Sequence, residues 1–214
     1  MIVYGASLSP FVRKVLAFAA EKGIEVESRP VDFANKSAEF LEASPFGKIP
    51  GFRDGDFAIS DSSAIIHYLE AVKPDPNLIP KDPKAGARTI WFDEYSDTIL
   101  VACGAKIVVN RLVRPRFFGM PGDEEVARTA ECDELPPLLD YLERVIPDSG
   151  FMVEDRLTLA DISIASPFAT LDHAGTRIDG NRHPRLKAYV EAILARPSFA
   201  GLVAGEKAFL SQAA

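Results

Sequence analysis

The pair Ile49-Pro50 narrows the folds open to this chain more than any other feature. It lies between Ser44-Pro45-Phe46-Gly47-Lys48 and the short apolar run Gly51-Phe52-Arg53. Proline cannot donate to a sheet ladder, so a proline opening a strand belongs at its first residue or on an edge, facing solvent or ligand. X-Pro is also the bond that most readily turns cis. A cis Ile49-Pro50 bond would aim the Ile49 N–H and C=O away from the sheet, free to pair with an extended peptide. The stretch predicts a sheet edge that binds something peptide-like.

The flanking segments fit a small mixed sheet covered by helices. Ile2-Val3-Tyr4 reads as a strand closed by Gly5. Ser9 is placed to N-cap a helix with Pro10 at its first position, Val12, Val15, Leu16, Ala19 and Ala20 on its apolar face, and Gly23 as its stop. The run 24–31 predicts a second strand and 36–43 a short helix. The two strands flanking Asp54-Gly55-Asp56 predict a hairpin. Asp61-Ser62-Ser63 offers caps for a helix whose apolar face is Ile65, Ile66, Tyr68 and Leu69. The order is βαβαββα.

Between Lys73 and Pro83 four prolines stand with no periodicity, the mark of a linker. The expected division is therefore 1–73 as an α/β domain, 74–83 as linker and 84–214 as an all-helical domain, since helical spacing prevails from Lys84 on. Pro136-Pro137 predicts a kink or two consecutive helices between Asp123 and Ile146. Thr158-Leu159-Ala160-Asp161 has the spacing of a capping box.

Charge limits the partners. A net charge of −7 argues against nucleic acid or an anionic membrane as partner. Met1 runs directly into strand-like residues without a basic, then apolar, leader, and the longest apolar run falls short of the ~20 residues of a membrane span, so a cytoplasmic protein is expected. Cys103 and Cys132 show neither metal spacing nor a C-x-x-C pair and read as reduced, mostly buried thiols. No metal site is expected. His67, His173 and His183 show no ligand or triad pattern, and Arg13 reads as a surface or dimer-side charge.

The segments 4–15, Glu21-Lys22-Gly23-Ile24, 44–50 and Asp61-Ser62-Ser63-Ala64-Ile65, in that order, resemble the thioredoxin-like domain of cytosolic glutathione transferases. The capping box resembles that family's helical domain, and Ser9 before Pro10 is closest to its phi-like and bacterial serine-type members. The resemblance implies a thioredoxin-like domain followed by a helical bundle, glutathione bound against the cis-proline loop, and a homodimer. It also implies that Ile49 pairs its backbone with the cysteinyl unit of glutathione, and that Phe46 is the aromatic inserted into the partner's helical domain.

The chemistry of glutathione asks for cations, a carboxylate, backbone pairs and a thiolate stabiliser. Asp61 suits the γ-glutamyl ammonium, and Ser62, at a helix N-terminus, the neighbouring carboxylate. Lys36, with Lys48, suits the glycyl carboxylate. Ser9 suits the thiol, with Ser7, two residues earlier, as its competitor. Asp61 stands where the family often has glutamate or glutamine, one methylene longer. Taken singly, Ser9 and Asp61-Ser62 read as caps and Lys36 as a solvated charge; taken in order around Pro50 they read as a site.

Three functions compete: a transferase adding the glutathione thiolate to a hydrophobic electrophile, a thiol-disulfide exchanger, and a non-catalytic adaptor on the same fold. Exchange needs a cysteine nucleophile where this chain has Ser9. The adaptor has no need to keep Lys36, Ile49-Pro50 and Ser62 together, so the transferase is the leading expectation. The pocket for the electrophile is expected near the 6–8 loop and the 99–118 region, including Phe117 and Phe118.

Overall fold

A sheet of four short strands carries the N-terminal half: β1 (Ile2–Tyr4), β2 (Glu27–Arg29), β3 (Gly51–Asp54) and β4 (Phe57–Ser60). The order is β2-β1-β3-β4, with β1 and β2 parallel and the β1–β3 and β3–β4 pairs antiparallel. This computed structural model describes residues 1–212. Helix α1 (Pro10–Glu21) links the parallel strands, α2 (Ala38–Ala43) leads towards β3, and α3 (Ser62–Val72) follows β4. Val3, Phe18, Phe52, Ile65, Ile66 and Leu69 are fully buried among these elements. The expected second strand and second helix are present in shortened form, with Ser37 capping α2 through the Phe40 N–H.

The punctuation reads as the local chemistry requires. Gly23 has φ +61°, and the N–H groups of Gly23 and Ile24 reach back to the Ala20 and Ala19 carbonyls, which closes α1. Gly55 has φ +61° in the turn that joins β3 to β4.

Two compact units emerge: Met1–Ile79 together with the segment beginning at Arg196, and Pro80–Ala195. This corrects the expected boundaries at both places. Leu78 is buried, and its N–H is accepted by Glu70 of α3, so the proline-rich stretch belongs to the first unit as far as Ile79. The last helix, α11 (Pro197–Gln212), packs on α1 rather than completing a helical domain that runs to the end. Arg13, expected at the surface, is 0% exposed and bound to Glu206 of that helix.

The second unit is helical apart from an isolated bridge between Val153 and Arg156: α4 (Pro83–Glu94), α5 (Val101–Val108), α6 (Arg114–Phe117), α7 (Glu124–Thr129), α8 (Leu135–Val145), α9 (Leu159–His173) and α10 (Pro184–Leu194). π-helical turns at Tyr95–Leu100, Val109–Val113 and Ala130–Glu134 join α4 to α5, α5 to α6 and α7 to α8. Pro136 and Pro137 fall in the first turn of α8, where their missing N–H groups cost nothing, so the helices run on consecutively. Helix α9 is buried from Leu159 to Leu171 and packs against α4 and α10. Its capping box is complete: Asp161 accepts the Thr158 N–H at 2.8 Å and also binds the Met152 N–H and the Tyr189 hydroxyl. Both cysteines are free; Cys103 is buried, while Cys132, expected to be buried, is exposed on the turn it shares with Glu131 and Asp133. No helix among the described residues is long and apolar enough to cross a membrane.

Candidate functional site

Strand register brings the candidate residues to one end of the sheet. Tyr4 pairs with Gly51, and Gly51 pairs with Ser60. The chain leaving β1 (Gly5 to Ser9), the chain entering β3 (Gly47 to Pro50) and the chain leaving β4 (Asp61-Ser62) therefore meet at the same edge. The Ile49-Pro50 bond is cis. Among the described residues, Ile49 makes no backbone–backbone hydrogen bond, so its N–H and C=O remain for another partner.

Close approach between the first two segments depends on Gly5, with φ +133°: a Cβ there would lie 2.6 Å from Val12 Cγ2 and 3.0 Å from Ile49 Cβ. The loop before Pro50 is held by Ser44, which the sequence did not single out. Its hydroxyl donates to the Lys48 C=O at 2.7 Å and accepts the Lys48 N–H at 3.0 Å. The neighbouring Ser-Pro dipeptide is the signal that was available. Lys36, exposed at the end of its loop, lies over Gly47: a Cβ at Gly47 would meet its Nζ at 2.8 Å. The Lys48 side chain is exposed, and its backbone, not its ammonium, is what ties it to the loop.

Two helix N-termini face this edge. Ser9 holds the N-cap position of α1, yet its hydroxyl makes no cap bond, so the plain reading of Ser9 as a capping side chain fails. It is half-buried, as is Ser7. Asp61 does cap α3: Oδ1 accepts the Ser63 and Ala64 N–H groups, both at 3.0 Å. It does so with φ +81° and ψ 128°, a conformation that costs a non-glycine residue ~1–3 kcal/mol and that concentrates at ligand clamps. Ser62 is buried beside it, and the Nζ of buried Lys14 reaches the Ser63 hydroxyl at 3.3 Å, a cation under the same turn that the sequence did not flag. Each helix end carries about half a positive charge, so the edge favours an anion. Phe46, 88% exposed, stands out from the loop beside it.

This edge can hold an extended backbone at Ile49, a carboxylate at the α3 terminus, a second carboxylate by Lys36 and an ammonium by Asp61, with a hydroxyl at the start of α1.

Comparison with known proteins covers most of the chain. Residues 3–77 match the family model described as the N-terminal domain of glutathione S-transferase, and residues 116–204 match that of its C-terminal domain. Glutathione S-transferase 3 of Zea mays is 34% identical over 209 residues, covering 94% of this chain and 92% of the relative. A glutathione S-transferase of Hyoscyamus muticus is 30% identical, covering 93% and 95%. Among solved structures, a glutathione S-transferase from Rhodospirillum rubrum F11 superposes with a TM-score of 0.84 at 27% identity, covering 94% of this chain and 90% of that one. A glutathione S-transferase I bound with lactoylglutathione gives a TM-score of 0.85 at 26% identity, covering 95% and 98%.

Proposed function

The chain belongs to the glutathione S-transferase family, and we propose that it lays glutathione along the Ile49-Pro50 edge and uses Ser9 to hold the thiol as thiolate for attack on an electrophilic small molecule. The observation that carries this reading is the unspent Ser9 hydroxyl at the N-terminus of α1, on the same edge as the unpaired Ile49 backbone. The cysteinyl unit pairs with Ile49 in front of Pro50. The γ-glutamyl carboxylate sits on Ser62, its ammonium goes to Asp61 Oδ2, and the glycyl carboxylate goes to Lys36 and Lys48.

The Ser9 hydroxyl donates to the sulfur, the thiol proton leaves to solvent, and the sulfur lone pair forms the new bond to the electrophilic carbon, whose displaced electron pair departs with the leaving group, as halide from an aryl halide. A free thiol has a pKa of ~8.5, and lowering it by ~2 units takes ~2.7 kcal/mol. A hydroxyl donating to a charged sulfur contributes ~1.5–3 kcal/mol and a helix N-terminus ~0.3–1, so the hydroxyl is the larger contribution. Relatives named as glutathione S-transferases, among them a maize enzyme solved with an atrazine glutathione conjugate, favour catalysis over an adaptor role. Binding to immobilised glutathione without turnover of a generic aryl halide would point to the adaptor instead.

The deciding experiment follows the thiolate absorbance of bound glutathione against pH. Ser9→Ala should raise the bound thiol's pKa by more than about one unit while leaving affinity within a few fold, and Ser7→Ala should do little. The opposite pattern moves the role to Ser7.

The working form is a cytoplasmic homodimer of the phi-like, serine-type kind, with Phe46 anchored in its partner. A buried aromatic of this sort loses ~2 kcal/mol or more of association on truncation. Sedimentation of Phe46→Ala should show a weaker dimer; an unchanged dissociation constant removes Phe46 as anchor.

A further inference from the structure

The helix that presents Ser9 is gripped at both ends by the C-terminal segment. One turn after Ser9, Arg13 donates from Nε and one terminal nitrogen to both Glu206 oxygens, at 3.0 and 2.6 Å, with both side chains almost wholly out of solvent. At the far end, Glu21 accepts Arg196 Nε at 2.8 Å and the Ser198 hydroxyl at 2.6 Å. A bidentate guanidinium–carboxylate pair fixes direction as well as distance, and taking the charge from one member of a buried pair loosens the hold on the other. Arg13 is also tied to Ser9 through the backbone, since its N–H donates to the Ser9 C=O at 2.9 Å. A shift of Arg13 therefore carries the first turn of α1 with it, together with the position of the Ser9 hydroxyl.

We propose that Glu206, acting through Arg13, is a positioning residue for the thiolate: it holds the start of α1 so that the Ser9 hydroxyl lies within hydrogen-bond reach of the glutathione sulfur. This rests on the Ser9 reading above. A hydroxyl that must meet a developing or resting charge loses most of its effect when misplaced by ~0.5 Å, whereas the peptide-binding groups at Ile49, Lys36 and Ser62 lie on other segments and keep their places. Disturbing the pair therefore separates thiol ionisation from affinity, which a merely structural brace would not do.

The experiment measures thiolate absorbance against pH and glutathione dissociation constants by calorimetry, on the full chain, for Glu206→Gln, Ser9→Ala and the double variant. Glu206→Gln should raise the bound thiol's pKa by about one unit, roughly a tenfold loss of thiolate at a fixed pH below it, with affinity within about threefold. In the Ser9→Ala background Glu206→Gln should add nothing to the pKa. If Glu206→Gln does not fold, Arg13→Met combined with Glu206→Leu replaces the buried pair by apolar side chains of similar size and should show the same raised pKa. A folded variant of either kind with the wild-type titration curve overturns the proposal, as does an equal shift with and without the Ser9 hydroxyl. If Ser9→Ala alone leaves the curve in place, the Ser9 reading fails on its own, and any shift from Glu206→Gln then counts against action through Ser9.

Discussion

Asp61 and Asp161 each tie a carboxylate to the start of a helix, one in each unit, and they differ in burial and in backbone strain. Asp61 accepts two N–H groups of the first turn of α3, and Asp161 accepts the N–H of Thr158, the residue that caps α9. Asp161 is sealed: it is fully buried, and its two oxygens receive the Met152 and Thr158 N–H groups and the Thr158 and Tyr189 hydroxyls. Burial nevertheless pushes its carboxyl above the ordinary range, with those hydrogen bonds pulling the other way. Asp61 is open: it is exposed, both its bonds fall on Oδ1, and its backbone has φ +81°. A cap that exists only for stability has no need of a strained, solvent-facing residue, so the strain at Asp61 argues for something outside the chain.

Three substitutions break or sharpen that contrast. The largest effect belongs to Asp161→Ala, which strands four buried donors. At ~1–3 kcal/mol for each unsatisfied group, partly relieved by relaxation, it should cost ~4 kcal/mol of stability, a large share of what holds a typical domain. Urea unfolding reads this loss, and the folded fraction should bind glutathione as before. A loss below ~1 kcal/mol would show the sealed network to be dispensable.

Next comes Asp61→Gly, which keeps an acceptable N-cap and accepts the positive φ without strain. Stability should stay within ~0.5 kcal/mol of wild type, while glutathione affinity falls about tenfold, or ~1.4 kcal/mol. Unchanged affinity with lost stability would make Asp61 a cap like Asp161 and nothing more.

The smallest effect comes from a third carboxylate. At Glu21 burial pushes the carboxyl upwards, but the hydrogen bonds from Arg196 and Ser198 and the charge of Arg196 prevail, and it lies below its ordinary value. The unfolded chain then holds that proton more tightly than the folded one, so the contribution is present above the unfolded value and is lost as pH falls through the lower folded value. Thermal unfolding across the acid range should show a shallower pH dependence for Glu21→Gln; an identical slope would mean the pair does not couple to protons.

What the sequence disclosed was local. Ser9-Pro10, Gly23, the Asp54-Gly55-Asp56 turn, Asp61-Ser62 and the Thr158 box are each written within a few residues, and each stands where it was expected. What it hid was distant. Nothing near Arg13 announces a partner 193 positions away, and without that partner an arginine on the first turn of a helix reads as surface. The last helix has the composition of a bundle helix, and its packing on α1, its buried Phe199 and Glu206 and the bonds of Arg196 and Ser198 to Glu21 assign it to the first unit. The approach of Lys36 to Gly47 needed the fold of the intervening helix, and the buried place of Lys14 needed α3 laid across α1.

The π-helical turns at Tyr95–Leu100, Val109–Val113 and Ala130–Glu134 bear on how a chain like this changes length. A turn with i→i+5 bonds holds one residue more than an α turn, and the faces before and after it keep their direction. A residue absorbed in this way leaves Phe92 before the bulge and Cys103 and Ile107 beyond it, all buried. Such helices need no loop to take up a gained or lost residue: the slack is stored inside them.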